Sequence, residues 1–80
     1  MKLPRDINAE ELIKALIRIG YKQTRQTGSH IRLSIQVHSI EHHLTIPNHK
    51  PIRIGTLNNI ILDIAKHLQI DKNKLIERLF

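Results

Sequence analysis

The chain has 80 residues, enough for one small domain whose core must use nearly every apolar side chain. It has no cysteine, which excludes disulfide frameworks, thiolate zinc sites and cysteine nucleophiles and fits a reducing cytoplasm. The formal net charge of +6 is concentrated in the middle of the chain, because Glu41 is the only carboxylate within residues 12–62. A basic stretch of this kind favours a polyanion such as nucleic acid as partner, and a merely solvated basic surface is the alternative.

The sequence shows no sign of a membrane segment or a secretion signal. No apolar run reaches the roughly 18 residues that span a bilayer. Residues 1–6 lack the apolar stretch of a signal peptide. We therefore expect a cytoplasmic protein. We also expect a single domain over residues 1–80, because no linker, repeat or low-complexity segment interrupts the chain.

The first predicted element is an amphipathic helix. Asn8 followed by Glu11 resembles a capping box, and Gly20 is expected to end the helix. Between Asn8 and Gly20, the apolar residues form a stripe on one face of the helix. They are Ala9, Leu12, Ile13, Leu16 and Ile17. A first strand is expected over residues 21–26.

The clearest strand signal begins at Ser29, after a predicted turn at Thr27 and Gly28, and continues to about residue 37. From residue 30 onward polar and apolar residues alternate, which places His30 and Arg32 on the solvent side of a sheet. The opposite face receives Ile31, Leu33, Ile35 and Val37. A turn is then expected over residues 38–41 and a short third strand over residues 43–46. There Leu44 and Ile46 face inward, and Pro47 stops the strand or marks an edge.

Two further helices follow a loop over residues 48–55. Thr56 is expected to cap the first of them, and Asp71 the second. Their apolar faces are predicted to be Leu57, Ile60, Ile61, Ile64 and Leu68 in the first, and Leu75, Ile76, Leu79 and Phe80 in the second. The order helix, three strands, helix, helix predicts an α+β fold. Its three-stranded antiparallel sheet has one face covered by the first two helices.

His30 is the candidate catalytic residue. RNA carries its own nucleophile, the 2′-hydroxyl, so one acid or base that titrates near neutrality, with cations to stabilise the phosphorane, suffices without a metal. Gly28 permits a positive φ that brings the backbone near a phosphate, and Ser29 adds a hydroxyl and an amide. Arg25 and Arg32 flank the turn as phosphate ligands. A surface histidine without a chemical role is the alternative.

The other candidate residues are substrate contacts. Lys22, Lys50 and Arg53 are expected to steer RNA, while His49 is either a substrate contact or a surface residue. We expect no metal site, because the adjacent His42 and His43 point to opposite faces of a strand and do not chelate together. No cofactor is expected either, since nucleotide-binding glycine signatures are missing.

Four short motifs occur in a characteristic order along the chain. They are Gly20-Tyr21, Gly28-Ser29-His30, Thr45-Ile46-Pro47 with His49, and Gly55-Thr56-Leu57 followed by Ile60 and Ile61. In this order and spacing, over most of the chain, the sequence resembles the HicA family of small toxins, the mRNA interferases of bacterial and archaeal toxin–antitoxin pairs. The resemblance implies a fold like the double-stranded-RNA-binding domain, ribosome-independent mRNA cleavage and neutralisation by a HicB-type antitoxin. It carries the family's catalytic histidine onto His30 and its turn glycine onto Gly28.

Three functions are consistent with these residues. The first is a metal-independent endoribonuclease toxin that cleaves mRNA with His30 as general acid or base. The second is a non-catalytic RNA-binding module that uses the same basic surface. The third is a purely protein-binding domain.

Overall fold

Three helices and three strands follow one another along residues 3–80, the part of the chain that this computed structural model describes. They are α1 (Ala9–Arg18), β1 (Lys22–Thr27), β2 (His30–Val37), β3 (Ile40–Pro47), α2 (Ile54–Leu68) and α3 (Lys72–Leu79). Residues 1 and 2, which the expectation about a signal peptide includes, lie outside the described residues. The predicted α+β order is confirmed. None of the helices in the described part of the chain has the length and apolar character needed to cross a membrane.

Helix α1 begins and ends where the sequence predicts. The Glu11 carboxylate accepts a hydrogen bond from the Asn8 backbone N–H at 3.3 Å, as a capping box requires. Gly20 follows the helix with a φ of 121°, a backbone conformation that favours glycine. The stripe prediction is wrong for Ile17, which is 48% exposed. The buried face consists of Ala9, Leu12, Ile13, Ala15 and Leu16.

The sheet is an antiparallel meander in the order β1-β2-β3, and its core lies under β2 and β3. Alternate side chains of these two strands are buried against the helices, namely Ile31, Leu33, Leu44 and Ile46. Ile35 and Val37 are only half-buried, because the helical layer covers that end of β2 less completely. Every residue of β1 is exposed, so this strand forms an edge that contributes no side chain to the core.

Strand β3 begins at Ile40, three residues before the predicted start. The turn between β2 and β3 contains only His38 and Ser39, whose φ angles are 53° and 65°. Positive φ at both central residues is the geometry of a type I′ turn, which joins two strands through a loop of two residues. The predicted longer turn therefore does not form, and residues 40–42 pair with β2 instead.

The two C-terminal helices follow the prediction except at two positions. Helix α2 starts at Ile54 with Arg53 as its N-cap residue, so Thr56 is not the cap. The preceding residues explain this start. Buried Ile52 donates its N–H to the Ile7 carbonyl at 2.8 Å, and the helix begins two residues after this fixed position. Asp71 caps α3 as predicted, accepting from the Asn73 N–H at 3.0 Å.

The apolar faces of these helices pack into one core with α1 and the sheet. The buried positions are Leu57, Ile60, Ile61, Ile64 and Ala65 in α2 and Leu75, Ile76 and Leu79 in α3. All of them except Ala65 agree with the prediction. Leu68 is half-buried. The prediction is wrong for Phe80, which is 42% exposed at the end of α3.

Candidate functional site

The turn between β1 and β2 consists of Gly28 and Ser29, which places His30 at the first position of β2. Gly28 has a φ of 56°, and a Cβ atom there would meet nothing within 4 Å. Glycine is therefore needed at this position because it readily adopts a positive φ, and not because a side chain would lack space. The Ser29 carbonyl accepts a hydrogen bond from the Asn48 N–H at 2.7 Å. This bond fixes the segment after β3 beside the turn.

His30 lies on the sheet face that the helices leave uncovered. It pairs with Thr27 of β1 and with Pro47 of β3, and its side chain is exposed. Two residues further along β2, Arg32 points to the same side, as predicted. Together with Arg25 and Thr45, these side chains line a shallow depression of about 180 Å³.

The two arginines of this depression face each other across the strands. Arg25 pairs directly with Arg32, so their Cβ atoms are about 5 Å apart and their charges repel. Within residues 3–80 no salt bridge compensates either guanidinium group; the described salt bridges involve only His42 and His43. A phosphate placed between the two guanidinium groups would relieve this repulsion and accept hydrogen bonds from both. The arrangement is therefore suited to an oxyanion next to an imidazole.

His49 and Lys50 lie at the same end of the sheet as His30. The His49 N–H donates to the Pro47 carbonyl at 2.8 Å, and the His49 carbonyl accepts from the Ala9 N–H at 3.2 Å. The backbone of His49 is thus held between β3 and the start of α1, just beyond the residue that pairs with His30. Both side chains are exposed. Their placement is compatible with the predicted substrate contacts.

The other two predicted contacts, Lys22 and Arg53, lie apart from this depression. Lys22 pairs with Ser34, four residues along β2 from His30, a distance of about 13 Å along the strand. Arg53 lines a different depression, with Arg5 and Pro51, beside the start of α2. The structure therefore groups Arg25, His30 and Arg32, while these two cations can reach only a longer substrate.

Sequence reasoning missed two threonines of the depression. Thr27 lies opposite His30 in β1, and Thr45 lies opposite Arg32 in β3. Their hydroxyl groups add neutral hydrogen-bonding groups beside the two guanidinium groups. Only the pairing of the strands shows this, because the alternation of residues within β2 does not tell which residues of β1 and β3 lie beside it.

A second polar cluster, also missed, lies on the helix side of the sheet. The Tyr21 hydroxyl is 3.0 Å from His42 Nδ1, and His42 Nε2 is 3.2 Å from Asp63 Oδ2. Burial, with a smaller contribution from the Asp63 charge, raises the pKa of Tyr21 well above its usual value. The Asp63 carboxylate can only accept a hydrogen bond, so His42 Nε2 donates to it, and the Nδ1 atom of a neutral His42 then accepts from the Tyr21 hydroxyl. His67 stacks on His42 with ring centroids 4.3 Å apart.

The histidines of the described chain do not assemble a metal centre. His42 is half-buried on the helix side, and His43 is exposed on the opposite face. Among residues 3–80 no group of three or more histidine, cysteine, aspartate or glutamate side chains is placed to hold a metal ion.

Comparison with known families identifies the class of protein to which this chain belongs. The family model of the HicA toxin of bacterial toxin–antitoxin systems matches residues 9–70. This match runs from the first residue of α1 to just beyond α2, and the chain belongs to the HicA toxin family. Comparison with curated proteins gives no match, and comparison with solved structures gives none either. Membership confirms the resemblance seen in the sequence and implies an antitoxin as partner in general terms.

Proposed function

We propose that this toxin-family protein is an endoribonuclease that cleaves mRNA at the depression around His30, with His30 as general acid and base. The observation that carries the proposal is the exposed imidazole beside two opposed arginines. An imidazole transfers protons near neutral pH, and the guanidinium pair matches a phosphate. The same face of the sheet carries His30, Arg25 and Arg32 with no helix above it, so a polymer can lie across it.

The reaction uses the nucleophile that RNA itself supplies. Neutral His30 takes the proton of a 2′-hydroxyl, whose oxygen attacks the adjacent phosphorus atom. Arg25 and Arg32 stabilise the negative charge that develops on the phosphorane. The P–O5′ bond then breaks, and the protonated His30 returns its proton to the leaving 5′-oxygen. The products are a 2′,3′-cyclic phosphate and a 5′-hydroxyl end, and no metal enters the proton transfers.

The basic residues outside the depression provide a path for the rest of the strand. His49 and Lys50 lie next to the His30 end of the sheet, and Lys22 lies about 13 Å away along the strands. Successive phosphates of an RNA strand are several ångströms apart, so a single strand can contact both Lys50 and Lys22. Arg53 stands beyond the loop and would engage only a longer substrate. Gly28 and Ser29 leave the backbone of the turn open to a phosphate.

Membership of the family supports the biological setting that we propose. In this setting the protein acts on mRNA in the cytoplasm and is neutralised by a HicB-type antitoxin. The net charge of +6 supports both polyanionic RNA and an acidic partner protein as ligands. Residues 1–80 act as one domain in this proposal.

The experiment that tests the proposal compares single-stranded RNA cleavage by three purified proteins in the presence of EDTA. They are the wild type, His30→Ala and His43→Ala. His43 is the matched control, because it is exposed on the same sheet face but pairs with Ser34, about 13 Å from His30 along the strand. Both substitutions remove an exposed imidazole, so neither should unfold the chain.

The expected result is cleavage by the wild type and by His43→Ala, with a loss of at least a hundredfold in His30→Ala. Full activity in a folded His30→Ala protein would refute the catalytic assignment. Binding without cleavage by all three proteins would favour the non-catalytic RNA-binding module. Loss of activity in EDTA, restored by a divalent cation, would refute the metal-independent mechanism.

A further inference from the structure

A polar pocket of about 360 Å³ lies further along the sheet from the depression around His30. We call it the strand-end pocket, and its lining residues are Gly20, Lys22, Ser34, Ile35, Gln36 and Glu41. Ser34 and Gln36 are four and six residues along β2 from His30, so the pocket is about 13–20 Å from the imidazole. An RNA strand that follows β2 would therefore reach the pocket a few nucleotides away from the bond at His30.

The polar side chains of the strand-end pocket lie on the sheet face that the helices leave uncovered. Ser34 and Gln36 alternate with the buried positions of β2, as His30 does. Lys22 pairs with Ser34 and Glu41 pairs with Gln36, so their side chains project from the same face. In the described chain β1 pairs with β2 no further than Ser34, which leaves the next part of this edge of β2 open. The pocket occupies this opening.

Glu41 is an unusual residue for a surface that faces RNA. It is the only carboxylate in the three strands, and it lies in the basic middle of the chain. A carboxylate that faced the phosphates would weaken RNA binding by repulsion. A carboxylate that faces a base instead accepts hydrogen bonds from its N–H groups. The position of Glu41 therefore favours contact with a base.

The Glu41 carboxylate is free to accept such hydrogen bonds. Its side chain is 58% exposed, and its ion-pair contact in the described chain is His43 Nε2 at 3.6 Å. This distance is too long for a hydrogen bond, so both carboxylate oxygens keep their capacity as acceptors. His43 does not line the strand-end pocket.

The donors and acceptors of the pocket match one base best. Guanine presents two adjacent donors, N1–H and the N2 amino group, next to the acceptor O6. Both donors fit the two oxygens of Glu41, and O6 accepts from the Gln36 amide or the Lys22 ammonium group. Adenine and cytosine present a ring nitrogen lone pair in place of N1–H, which the carboxylate repels. Uracil has a single N–H between two carbonyl oxygens.

The pocket also offers apolar contacts for the face of a base. Ile35 is half-buried and lines the pocket from the open edge of β2. The aliphatic part of the Lys22 side chain lies on the other strand. Bases whose edges are available for such contacts occur in single-stranded RNA.

We propose that the strand-end pocket binds a guanine base of single-stranded RNA. Glu41 accepts from guanine N1–H and from its N2 amino group, while Gln36 and Lys22 donate to O6. The inference rests on the proposed function for RNA as the ligand. It adds a specificity determinant, because a strand with guanine a few nucleotides from the cleaved bond binds more tightly than one without.

The test measures RNA binding by fluorescence anisotropy with the full chain carrying His30→Ala, which keeps the RNA intact. The probes are three labelled oligouridylates that differ at one central position, where they carry guanine, hypoxanthine or adenine. The guanine probe should bind about tenfold more tightly than the adenine probe. The hypoxanthine probe should fall between them, because hypoxanthine keeps N1–H and O6 but lacks the N2 amino group.

Two further substitutions, Glu41→Gln and Glu77→Gln, separate base recognition from net charge. Each removes one negative charge from an exposed position, and Glu77 lies on α3 in the helical layer. Glu41→Gln should abolish most of the preference for guanine, even though its higher positive charge favours RNA in general. Glu77→Gln should retain the tenfold preference. Both positions are exposed, so the variants are expected to fold.

Several results would overturn the proposal. Equal binding of the three probes would mean that the pocket does not distinguish bases. Glu41→Gln that strengthens binding of all three probes alike would mean that Glu41 only repels phosphates. A preference for guanine that survives Glu41→Gln would place base recognition elsewhere, and no binding of any probe would exclude RNA as the ligand. Because binding is measured without cleavage, a guanine preference in a protein that does not cut RNA would refute only the ribonuclease proposal.

Discussion

Raising the pH through 10 should destabilise this protein in a way that depends on Tyr21. Tyr21 is the only tyrosine of the chain, and it is 1% exposed. Its burial raises the pKa above the value of about 10 that the unfolded chain shows. Above pH 10 the unfolded state therefore loses the phenolic proton while the native state retains it. The native state then binds more protons, and the free energy of unfolding falls as pH rises.

The size of this effect follows from proton linkage. One proton of difference lowers the free energy of unfolding by about 1.4 kcal/mol per pH unit, or about 2 kcal/mol between pH 10 and pH 11.5. Tyr21→Phe removes this dependence together with the hydrogen bond to His42, whose loss costs about 1–3 kcal/mol below pH 10. The wild type is thus more stable than Tyr21→Phe at pH 8, and the difference shrinks as pH rises. Lysines titrate in the same range, but they do so in both proteins and cancel in the difference.

The assay combines urea unfolding of both proteins from pH 8 to 11.5 with ultraviolet absorbance of the wild type. Because there is one tyrosine, tyrosinate absorbance near 295 nm reports on Tyr21 alone. The expected result is that this absorbance appears only together with loss of the far-ultraviolet circular dichroism. Tyrosinate formed near pH 10 in a protein with unchanged helix signal would refute the burial argument. A stability difference that stays constant with pH would refute the linkage argument.

Three further predictions concern the turns and the arginine pair. Gly28→Ala should lower the free energy of unfolding by about 1–2 kcal/mol, because its φ of 56° is unfavourable for any side chain and open space offers no compensation; an unchanged urea midpoint would contradict this. Ser39→Gly should raise the free energy of unfolding by about 0.5–1 kcal/mol, because serine is held at a φ of 65° in the type I′ turn and glycine adopts this φ readily. A lower urea midpoint would show that the turn is not strained. Arg32→Gln, made in the His30→Ala background and measured by fluorescence anisotropy at several salt concentrations, should reduce the salt slope of single-stranded RNA binding by about 0.7. An unchanged slope would mean that Arg32 does not contact a phosphate.

The parts of the fold that the sequence predicts correctly depend on local interactions. Asn8 with Glu11 and Asp71 with its own helix are caps made within three residues, so spacing alone identifies them. The alternation in β2 correctly places His30 on the exposed face, because the period of a strand is fixed. Thr56 fails as a cap because the start of α2 is set by a contact between Ile52 and Ile7, which are distant in the sequence.

The strand register around the candidate site differs from the one that the sequence predicts. The sequence places the first turn at Thr27 and Gly28, whereas the structure has Gly28 and Ser29 at the turn and pairs Thr27 with His30. A shift of one residue changes every cross-strand partner, and it is this shift that puts Arg25 opposite Arg32. The contribution of Thr45 could not be foreseen for the same reason, since it depends on the register between β2 and β3.

The network around His42 lay beyond sequence reasoning altogether. Tyr21 lies just before β1, His42 lies in β3 and Asp63 lies in α2, so 21 residues separate each from the next along the chain. No spacing rule connects residues at that separation, and each has an ordinary role when considered alone. Their proximity follows only from packing α2 across the sheet.

The central claim is that His30 acts on the 2′-hydroxyl of RNA beside the arginine pair. It is tested most directly by cleaving an RNA oligonucleotide whose cut site has been mapped, and the same oligonucleotide with a single 2′-deoxy nucleotide on the 5′ side of that site. The account predicts that the RNA yields a 2′,3′-cyclic phosphate and a 5′-hydroxyl, and that the substituted oligonucleotide is not cut at that position. Cleavage of both at the same rate, or a 5′-phosphate product, would contradict it, because the attacking oxygen would then come from water.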